Sequence, residues 1–242
     1  MVNQKGGVGK TTTAINLGYA LAEFHQKRTL LIDVDTQANA TSSLGFDPDE
    51  ERASIYDVLT HRMTLEQVLV RRSDRFWLAP ANMHLSGLSA REVNFSDRFL
   101  TPSNSALFDY IIIDCPPSLG VLTVLALATA TEVIIPVQAQ YLALEGTATL
   151  LKTVELIRRK INRKLRIGGV LCTMFDPRTR LSRGIYQKLM DHFGTLVFET
   201  RISRDVRLEE CPAYGVPIFE YAASSRAAKL YREFTNEVVA RE

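Results

Sequence analysis

Cysteine, tryptophan and long apolar runs are all scarce in this sequence of 242 residues. Its three cysteines have no metal-type spacing and are too few for a disulfide framework, which favours a cytoplasmic protein with reduced thiols. Apolar runs such as 110–113 are far shorter than the ~18 residues of a membrane span, and residues 1–10 lack the apolar core of a signal peptide. Because 46% of the residues are apolar, we expect a globular protein with a sizeable core rather than a disordered chain.

The net charge of +2 hides an uneven distribution along the chain. Residues 1–150 sum to −5, whereas residues 151–242 sum to +7. A basic half indicates a polyanionic partner. On charge alone, however, a solvated basic surface is the better interpretation.

Short β-rich apolar runs alternate with helical patterns, and near-continuous apolar character is typical of strands buried on both faces of a parallel sheet. This alternation predicts right-handed βαβ units and a single domain over 1–242. The predicted class is α/β, with a doubly wound, mostly parallel sheet and helices on both faces. The predicted strands are 29–33, 75–79, 110–114, 132–137 and 167–173. The predicted helices are 11–24, about 85–100, 119–130, 144–159, 181–193 and 225–239.

Two of the predicted strands end in an aspartate, Asp33 and Asp114. In open parallel sheets, ligands bind at the carboxyl ends of the strands. Two acidic residues at that edge suit a metal-bound polyphosphate, although a single aspartate there would equally suit a turn or a helix cap.

Residues 3–13 read NQKGGVGKTTT and form a variant phosphate-binding loop. The run ends as the pattern G-x-x-x-x-G-K-[ST] requires, but Gln4 takes the place of the leading glycine. The glycines let backbone amides face phosphate oxygens, and the following helix adds its N-terminal dipole. Lys10 can neutralise the β- and γ-phosphates, and the Thr11 hydroxyl can hold Mg²⁺. Lys5 is either a solvated lysine or a second positive charge for the γ-phosphate.

Six segments match one protein family in order and spacing, and they cover nearly the whole chain. On these segments the sequence resembles the ParA/Soj-type chromosome or plasmid partitioning ATPases, a deviant Walker A P-loop family. The segments are KGGVGKTTT (5–13), LLIDVDTQANATSSLG (30–45), DYIIIDCPPSLG (109–120), EVIIPVQAQYLALEG (132–146), TMFDPRTRLS (173–182) and RDVRLEECPAYGVPIFEYAASSRAA (204–228).

The resemblance implies an ATPase that uses ATP and Mg²⁺ and forms a homodimer around the nucleotide. It further implies non-specific DNA binding by that dimer, and slow hydrolysis that a ParB-like partner stimulates to release the protein from DNA. The implied location is cytoplasmic and nucleoid-associated, with no stable membrane association.

The resemblance also assigns roles to individual residues. Lys5 resembles the signature lysine that reaches the nucleotide of the other subunit, and Asp35 the aspartate that positions the attacking water. The implied catalytic residues are Lys5, Lys10 and Asp35. The implied nucleotide contacts are Lys5, Gly6, Gly7, Val8, Gly9, Lys10, Thr11, Thr12 and Pro212. The implied metal-site residues are Thr11, Asp33 and Asp114. The implied DNA contacts are Arg183, Arg201, Arg204, Arg207, Arg226 and Lys229.

The sequence departs from the family pattern at several places, which include Leu125 and the segment YAASSR at 221–226, and two of the departures bear on the nucleotide site. Only Met1 and Val2 precede Asn3, where relatives carry a short apolar strand. We therefore expect the first strand to be missing or truncated and a central slot of the sheet to lack a strand. Within the second of these segments, 30–45, Thr36 and Ala38 replace the usual proline and glycine.

Three other functions compete with this interpretation. A MinD-like membrane-associated positioning ATPase needs a basic, amphipathic C-terminal helix, whereas the tail NEVVARE is short and mixed in charge. An electron-transfer ATPase needs cysteines that bridge an iron–sulfur cluster. An ATP-gated DNA-binding module with negligible turnover would share the same motifs.

Overall fold

The computed structural model describes residues 1–48, 53–89, 106–140 and 143–241. Its strands form two neighbouring sheets, with the orders β2-β3-β1-β4 and β5-β6-β7. Every pairing among the described strands is parallel except that of β2 with β3. The strands are β1 Thr29–Asp33, β2 Val70–Arg71, β3 Phe76–Ala79, β4 Tyr110–Asp114, β5 Glu132–Gln138, β6 Arg166–Phe175 and β7 Val197–Ser203.

Helices connect most of the strands, and two short 3₁₀ turns cover Met83–Gly87 and Gly194–Leu196. Within the described residues, no helix combines the length and the apolarity that crossing a bilayer would take. The helices are α1 Lys10–His25, α2 Asn39–Ser43, α3 Ile55–Leu59, α4 Leu65–Val68, α5 Val121–Thr129, α6 Ala143–Lys160, α7 Arg180–Phe193, α8 Val206–Tyr214, α9 Ile218–Tyr221 and α10 Arg226–Ala240.

The core has two parts, one on each face of the sheets. Successive side chains of a strand point to opposite faces, and β1 follows this rule. Leu30 and Ile32 join one apolar cluster, together with residues of α5, α6 and α7. Leu31 joins the other cluster, together with residues of α1 and α10. All five residues of β1 are buried as a result, and the predicted α/β class with helices on both faces is confirmed.

The pairing of β1 with β4 fixes the position of two acidic residues. The two strands run parallel in continuous register from Thr29 opposite Tyr110 to Asp33 opposite Asp114. Both carboxylates therefore lie next to each other at the carboxyl end of the sheet, where ligands bind in open α/β folds.

Met1 and Val2 lie between the two sheets. The amino group of Met1 donates to the Ile113 carbonyl of β4 (2.6 Å), and the Val2 amide donates to the Ile134 carbonyl of β5 (3.2 Å). Among the described residues no strand is assigned between β4 and β5. The two residues that precede the phosphate loop thus link both sheets by hydrogen bonds.

Some predicted elements differ from the structure. The helix predicted over about 85–100 begins in a 3₁₀ turn, Met83–Gly87, and residues 90–105 lie outside the described residues. Strand β7 was not predicted, because its exposed Glu199 and Arg201 alternate with buried residues and break the apolar run. The other predicted strands and helices are confirmed within a few residues at their ends.

A close contact between two glycines joins α2 to α8. Gly215 ends α8 in the left-handed conformation (φ 66°), a conformation that side chains disfavour. Its backbone packs on Gly45, which follows α2 and also has positive φ (82°). A Cβ atom on Gly215 would lie 2.7 Å from the Cα and 3.0 Å from the amide nitrogen of Gly45.

We expect Gly215→Ala to lower the free energy of unfolding by about 2 kcal/mol or more, because the methyl group meets rigid backbone and the φ angle is strained. Chemical denaturation measures this change. Gly184→Ala is the matched control, because Gly184 lies in α7 with no heavy atom within 4 Å of the added Cβ. That control should stabilise the protein by about 0.5–1 kcal/mol. Equal stabilities for the two variants would contradict a tight contact.

Candidate active site

The phosphate-binding loop owes its shape to glycine. Gly7 and Gly9 both have positive φ angles, 69° and 85°, and Gly9 is the residue before α1. No side chain of the described residues caps the first turn of α1, and that turn contains no acidic residue. The first backbone amides of a helix lack partners within the helix. The start of α1 therefore presents donors and a positive dipole end, which together favour a phosphate group.

Two buried polar side chains anchor this loop to the second sheet. Asn3 donates from Nδ2 to the Pro136 carbonyl of β5 (2.6 Å), and its Oδ1 accepts from the Lys5 amide (3.0 Å). Thr173 of β6 donates from its hydroxyl to the Val8 carbonyl (2.8 Å). The loop is therefore held at its start and near its middle, which fixes the amides that face a phosphate.

Lys10 lies at the first position of α1 and is only 6% exposed. Its Nζ donates to the Lys5 carbonyl (3.2 Å). Burial lowers the pKa of the Lys10 ammonium, and the nearby Asp114 and Asp35 carboxylates oppose this shift. A desolvated ammonium interacts strongly with a negative group such as a phosphate, because little water screens its charge.

Thr11 and Asp114 form the strongest candidate for a metal site. The Thr11 hydroxyl donates to Asp114 Oδ2 (2.6 Å), whereas Asp114 Oδ1 is buried and has no hydrogen-bond partner within the described part of the chain. Burial raises the pKa of Asp114 to about 6, and the hydrogen bond from Thr11 opposes this shift. An unpaired buried carboxylate oxygen beside a hydroxyl fits a hydrated Mg²⁺, which keeps several waters and uses few protein ligands.

The described residues contain no cluster of three or more His, Cys, Asp or Glu side chains that could hold a metal ion.

Asp33 makes contacts of a different kind. Its Oδ1 accepts from the Asp35 amide (3.0 Å), and its Oδ2 accepts from both the amide (2.9 Å) and the hydroxyl (2.8 Å) of Thr41. Burial raises the pKa of Asp33 to about 7, the Asp114 carboxylate adds to this shift, and the donors from Thr41 oppose it. Both oxygens are already hydrogen-bonded, so the contacts of Asp33 are those of a residue that positions the following segment.

Asp35 lies at the start of that segment and is 4% exposed. Its Oδ1 accepts from the Gln37 amide (3.0 Å), and its carbonyl accepts from the Ala38 amide (2.9 Å). Ala38 has a φ of 49°, a left-handed conformation that glycine adopts more easily. Ala38 therefore stands at a position where glycine is conformationally favoured.

The predicted nucleotide contacts outside the loop 6–11 are Lys5, Thr12 and Pro212. Lys5 donates from Nζ to Gln140 Oε1 (3.2 Å) just after β5. Thr12, in the first turn of α1, is half-buried. Pro212 lies inside α8 at an exposed position.

The six predicted DNA contacts lie at the ends of β6 and β7 and on the helices that follow them. Arg201 of β7 is exposed, and its guanidinium lies over the rings of Phe175 (5.0 Å) and Tyr186 (4.8 Å). These cation–π contacts orient the arginine while its charge stays accessible. Three other members of the group form ion pairs, exposed for Arg204 with Glu209 and Lys229 with Glu233, and with a largely buried carboxylate for Arg207 with Asp205.

The remaining two predicted DNA contacts, Arg183 and Arg226, lie near the end of β6. Arg183 donates to the Pro177 carbonyl (2.5 Å). The pKa of Asp176 is lowered to about 2, chiefly by hydrogen bonds from Arg178, and the charge of Arg226 contributes. Exposed ion pairs are weak in water, so a phosphate can compete with the carboxylates that pair with Arg204 and Lys229.

The structure thus brings together Lys10, Thr11, Asp33, Asp35 and Asp114, with the phosphate loop alongside. Sequence reasoning missed four polar residues that support them. All four lie within the motif segments quoted above, so their proximity to a motif was the available signal. The missed residues are Asn3, Thr41, Gln140 and Thr173.

Comparison with known proteins supports this description. A family model described as an AAA domain matches residues 1–167. The chromosome-partitioning ATPase Soj of Treponema pallidum is 42% identical over 247 residues, an alignment that covers 100% of this chain and 96% of the relative.

Solved structures agree with the fold. Cobyrinic acid a,c-diamide synthase of Mycobacterium smegmatis, with bound ADP and magnesium, is 35% identical with a TM-score of 0.82, over 98% of this chain and 92% of that chain. The cell division ATPase MinD of Pyrococcus furiosus has a TM-score of 0.81 at 23% identity, over 100% and 97% of the two chains, a likeness that shows the fold alone. On the full-length match to Soj, this chain belongs to the Soj/ParA family of chromosome-partitioning ATPases.

Proposed function

We propose that this protein acts as an ATP-driven switch in DNA partitioning, through a single domain over 1–242. In the ATP state two copies form a dimer around the nucleotides and bind DNA without sequence specificity. Slow hydrolysis, stimulated by a ParB-like partner, then releases the protein from the cytoplasmic nucleoid. The observation that carries the proposal is the Thr11–Asp114 pair at the start of α1, with Asp114 Oδ1 buried and unpaired in the described part of the chain.

The phosphate loop supplies most of the binding energy in this proposal. Its glycines leave the backbone amides free to surround the β-phosphate, and the dipole of α1 adds positive potential. Lys10 contributes a buried charge next to the loop. Thr11 and Asp114 would hold Mg²⁺, which when bound neutralises charge on the phosphates.

Hydrolysis requires an oriented water and positive charge near the γ-phosphate. Asp35 is the candidate for orienting water, because its backbone and one carboxylate oxygen are fixed by hydrogen bonds within the segment 33–38. Lys5 is the candidate for the second positive charge, delivered to the other subunit of the dimer. The Lys5 ammonium donates to Gln140 of its own chain in this structure, so its delivery to the other subunit would require that this exposed hydrogen bond break.

The DNA-binding surface is proposed from the basic residues around β6 and β7. Thr173, which touches the phosphate loop, is only two residues from Phe175, which supports Arg201. Binding to phosphates alone gives affinity that falls steeply with salt. Proximity of this surface to the phosphate loop supports control of DNA binding by the nucleotide.

Two variants test the nucleotide site. We expect Lys10→Ala to lose ATP binding, because the loop then lacks its buried positive charge. We expect Asp35→Ala to keep ATP binding and to lose hydrolysis by on the order of 10²-fold, the usual cost of removing one positioned catalytic group. Steady-state phosphate release and calorimetric titration with an ATP analogue measure the two effects.

Lys160→Ala is the control for these variants, because Lys160 is exposed at the far end of α6. It should leave both binding and hydrolysis unchanged. Hydrolysis by Lys10→Ala at the wild-type rate would overturn the proposed function.

A third variant tests the DNA surface. We expect Arg201→Ala to weaken binding of a mixed-sequence duplex in the presence of ATP, and to reduce the slope of log affinity against log salt by about 0.9, the loss of one phosphate contact. Fluorescence anisotropy at several salt concentrations measures both quantities. Arg71→Ala removes an exposed charge from β2, the edge strand farthest from β7 in the sheet order, and should change neither. An unchanged slope in Arg201→Ala would contradict this contact.

A further inference from the structure

Thr41 of α2 forms hydrogen bonds with residues of two other segments of the chain. It is 1% exposed. Its amide and its hydroxyl both donate to Asp33 Oδ2 (2.9 and 2.8 Å), and the same hydroxyl accepts from the Ala81 amide (2.9 Å). One buried hydroxyl therefore joins three separate segments, namely the end of β1, the helix α2 and the residues after β3.

Asp33 in turn is hydrogen-bonded to the backbone of Asp35, the residue proposed to orient water. While its Oδ2 is held by Thr41, its Oδ1 accepts from the backbone amide of Asp35 (3.0 Å). The Val34 amide between them donates to the Asp114 carbonyl (3.0 Å), which ties the same segment to β4. The rotation of the Asp33 carboxylate, which Thr41 sets, therefore helps to fix where the backbone of Asp35 lies relative to Asp114.

The hydroxyl matters because the carboxylate is buried. Asp33 has no measurable exposure, so each hydrogen bond that it loses is not replaced by water. Without the Thr41 hydroxyl, Oδ2 keeps only the amide of residue 41, and the Ala81 amide loses its acceptor. The carboxylate could then turn, and the Asp35 amide would no longer have a fixed acceptor.

We propose that Thr41 is a positioning residue for ATP hydrolysis, which acts through Asp33 on the backbone of Asp35. The inference rests on the proposed role of Asp35 in orienting the attacking water. Thr41 lies outside the phosphate loop and the Thr11–Asp114 pair, so its role is confined to the rate of hydrolysis and does not extend to nucleotide affinity.

The test compares Thr41→Val with Thr41→Ser in the full chain. Valine keeps the shape and loses the hydroxyl, whereas serine keeps the hydroxyl and loses a methyl group. We expect kcat of Thr41→Val to fall by on the order of 10- to 100-fold, since small misplacements of a catalytic group have effects of this size. KM for ATP and the affinity for Mg²⁺–ADP should stay within about threefold of wild type. We expect Thr41→Ser to recover kcat to within about threefold.

A purely structural role for Thr41 predicts a different pattern. Nucleotide affinity and kcat would then fall together with the unfolding temperature, and serine would not restore kcat selectively. That pattern, or an unchanged kcat in Thr41→Val, overturns the inference. If Thr41→Val does not fold, Thr41→Cys takes its place, because a thiol is a weaker donor and acceptor than a hydroxyl. Its kcat should lie below that of Thr41→Ser at equal Mg²⁺–ADP affinity, and equal kcat values overturn the inference.

Asp35→Ala, measured in parallel, separates this inference from the function on which it rests. If Asp35→Ala abolishes hydrolysis while Thr41→Val retains it, the role of Thr41 is wrong and the proposed function stands. If Asp35→Ala and Lys10→Ala both hydrolyse ATP at the wild-type rate, the proposed function fails and the role of Thr41 fails with it.

Discussion

The parallel pairing of β1 with β4 places Asp33 and Asp114 side by side, and the rest of the site is organised around these two buried carboxylates. Burial raises the pKa of both acids, so each needs its own compensating partners. Asp114 receives the Thr11 hydroxyl and the charge of Lys10 from the start of α1. Asp33 receives two donors from Thr41 in α2. The same strand register therefore gives the acids separate surroundings, the start of α1 for Asp114 and the segment 33–41 for Asp33.

The phosphate loop depends on both sheets for its rigidity. It follows the two residues that bridge β4 and β5, and it is then tied to β5 by Asn3 and to β6 by Thr173. A loop built largely from glycine would lose much conformational entropy on binding a phosphate. Buried hydrogen bonds at Lys5 and Val8 remove part of that cost before the nucleotide arrives, because they restrict the loop in the free protein.

The motifs and most of the regular elements could be predicted from the sequence, since buried parallel strands and the glycine-rich loop have local signatures. The supporting hydrogen bonds could not, because they join residues far apart in the chain, such as Thr173 with Val8. Position after a strand suggested a metal role for Asp33, but only the fold shows that Thr41 and the Asp35 amide already engage its oxygens. Strand β7 was likewise not predicted, because exposed and buried residues alternate along it. The orientation of its Arg201 is visible only in the fold, where the guanidinium lies over an aromatic ring.

Strand β6 offers a short physical connection between the proposed nucleotide and DNA sites. Thr173 binds the phosphate loop, Phe175 supports Arg201, and Asp176 lies within the electrostatic influence of Arg226. A change in the loop on ATP binding would therefore reach the basic surface through adjacent residues of one strand, with no need for a long chain of intermediates. Coupling still requires that two arrangements of the surface differ in their affinity for DNA. Weak ion pairs can exchange their carboxylates for phosphates at little cost, so the pairs of Arg204, Arg207 and Lys229 would not oppose binding of DNA in such an arrangement.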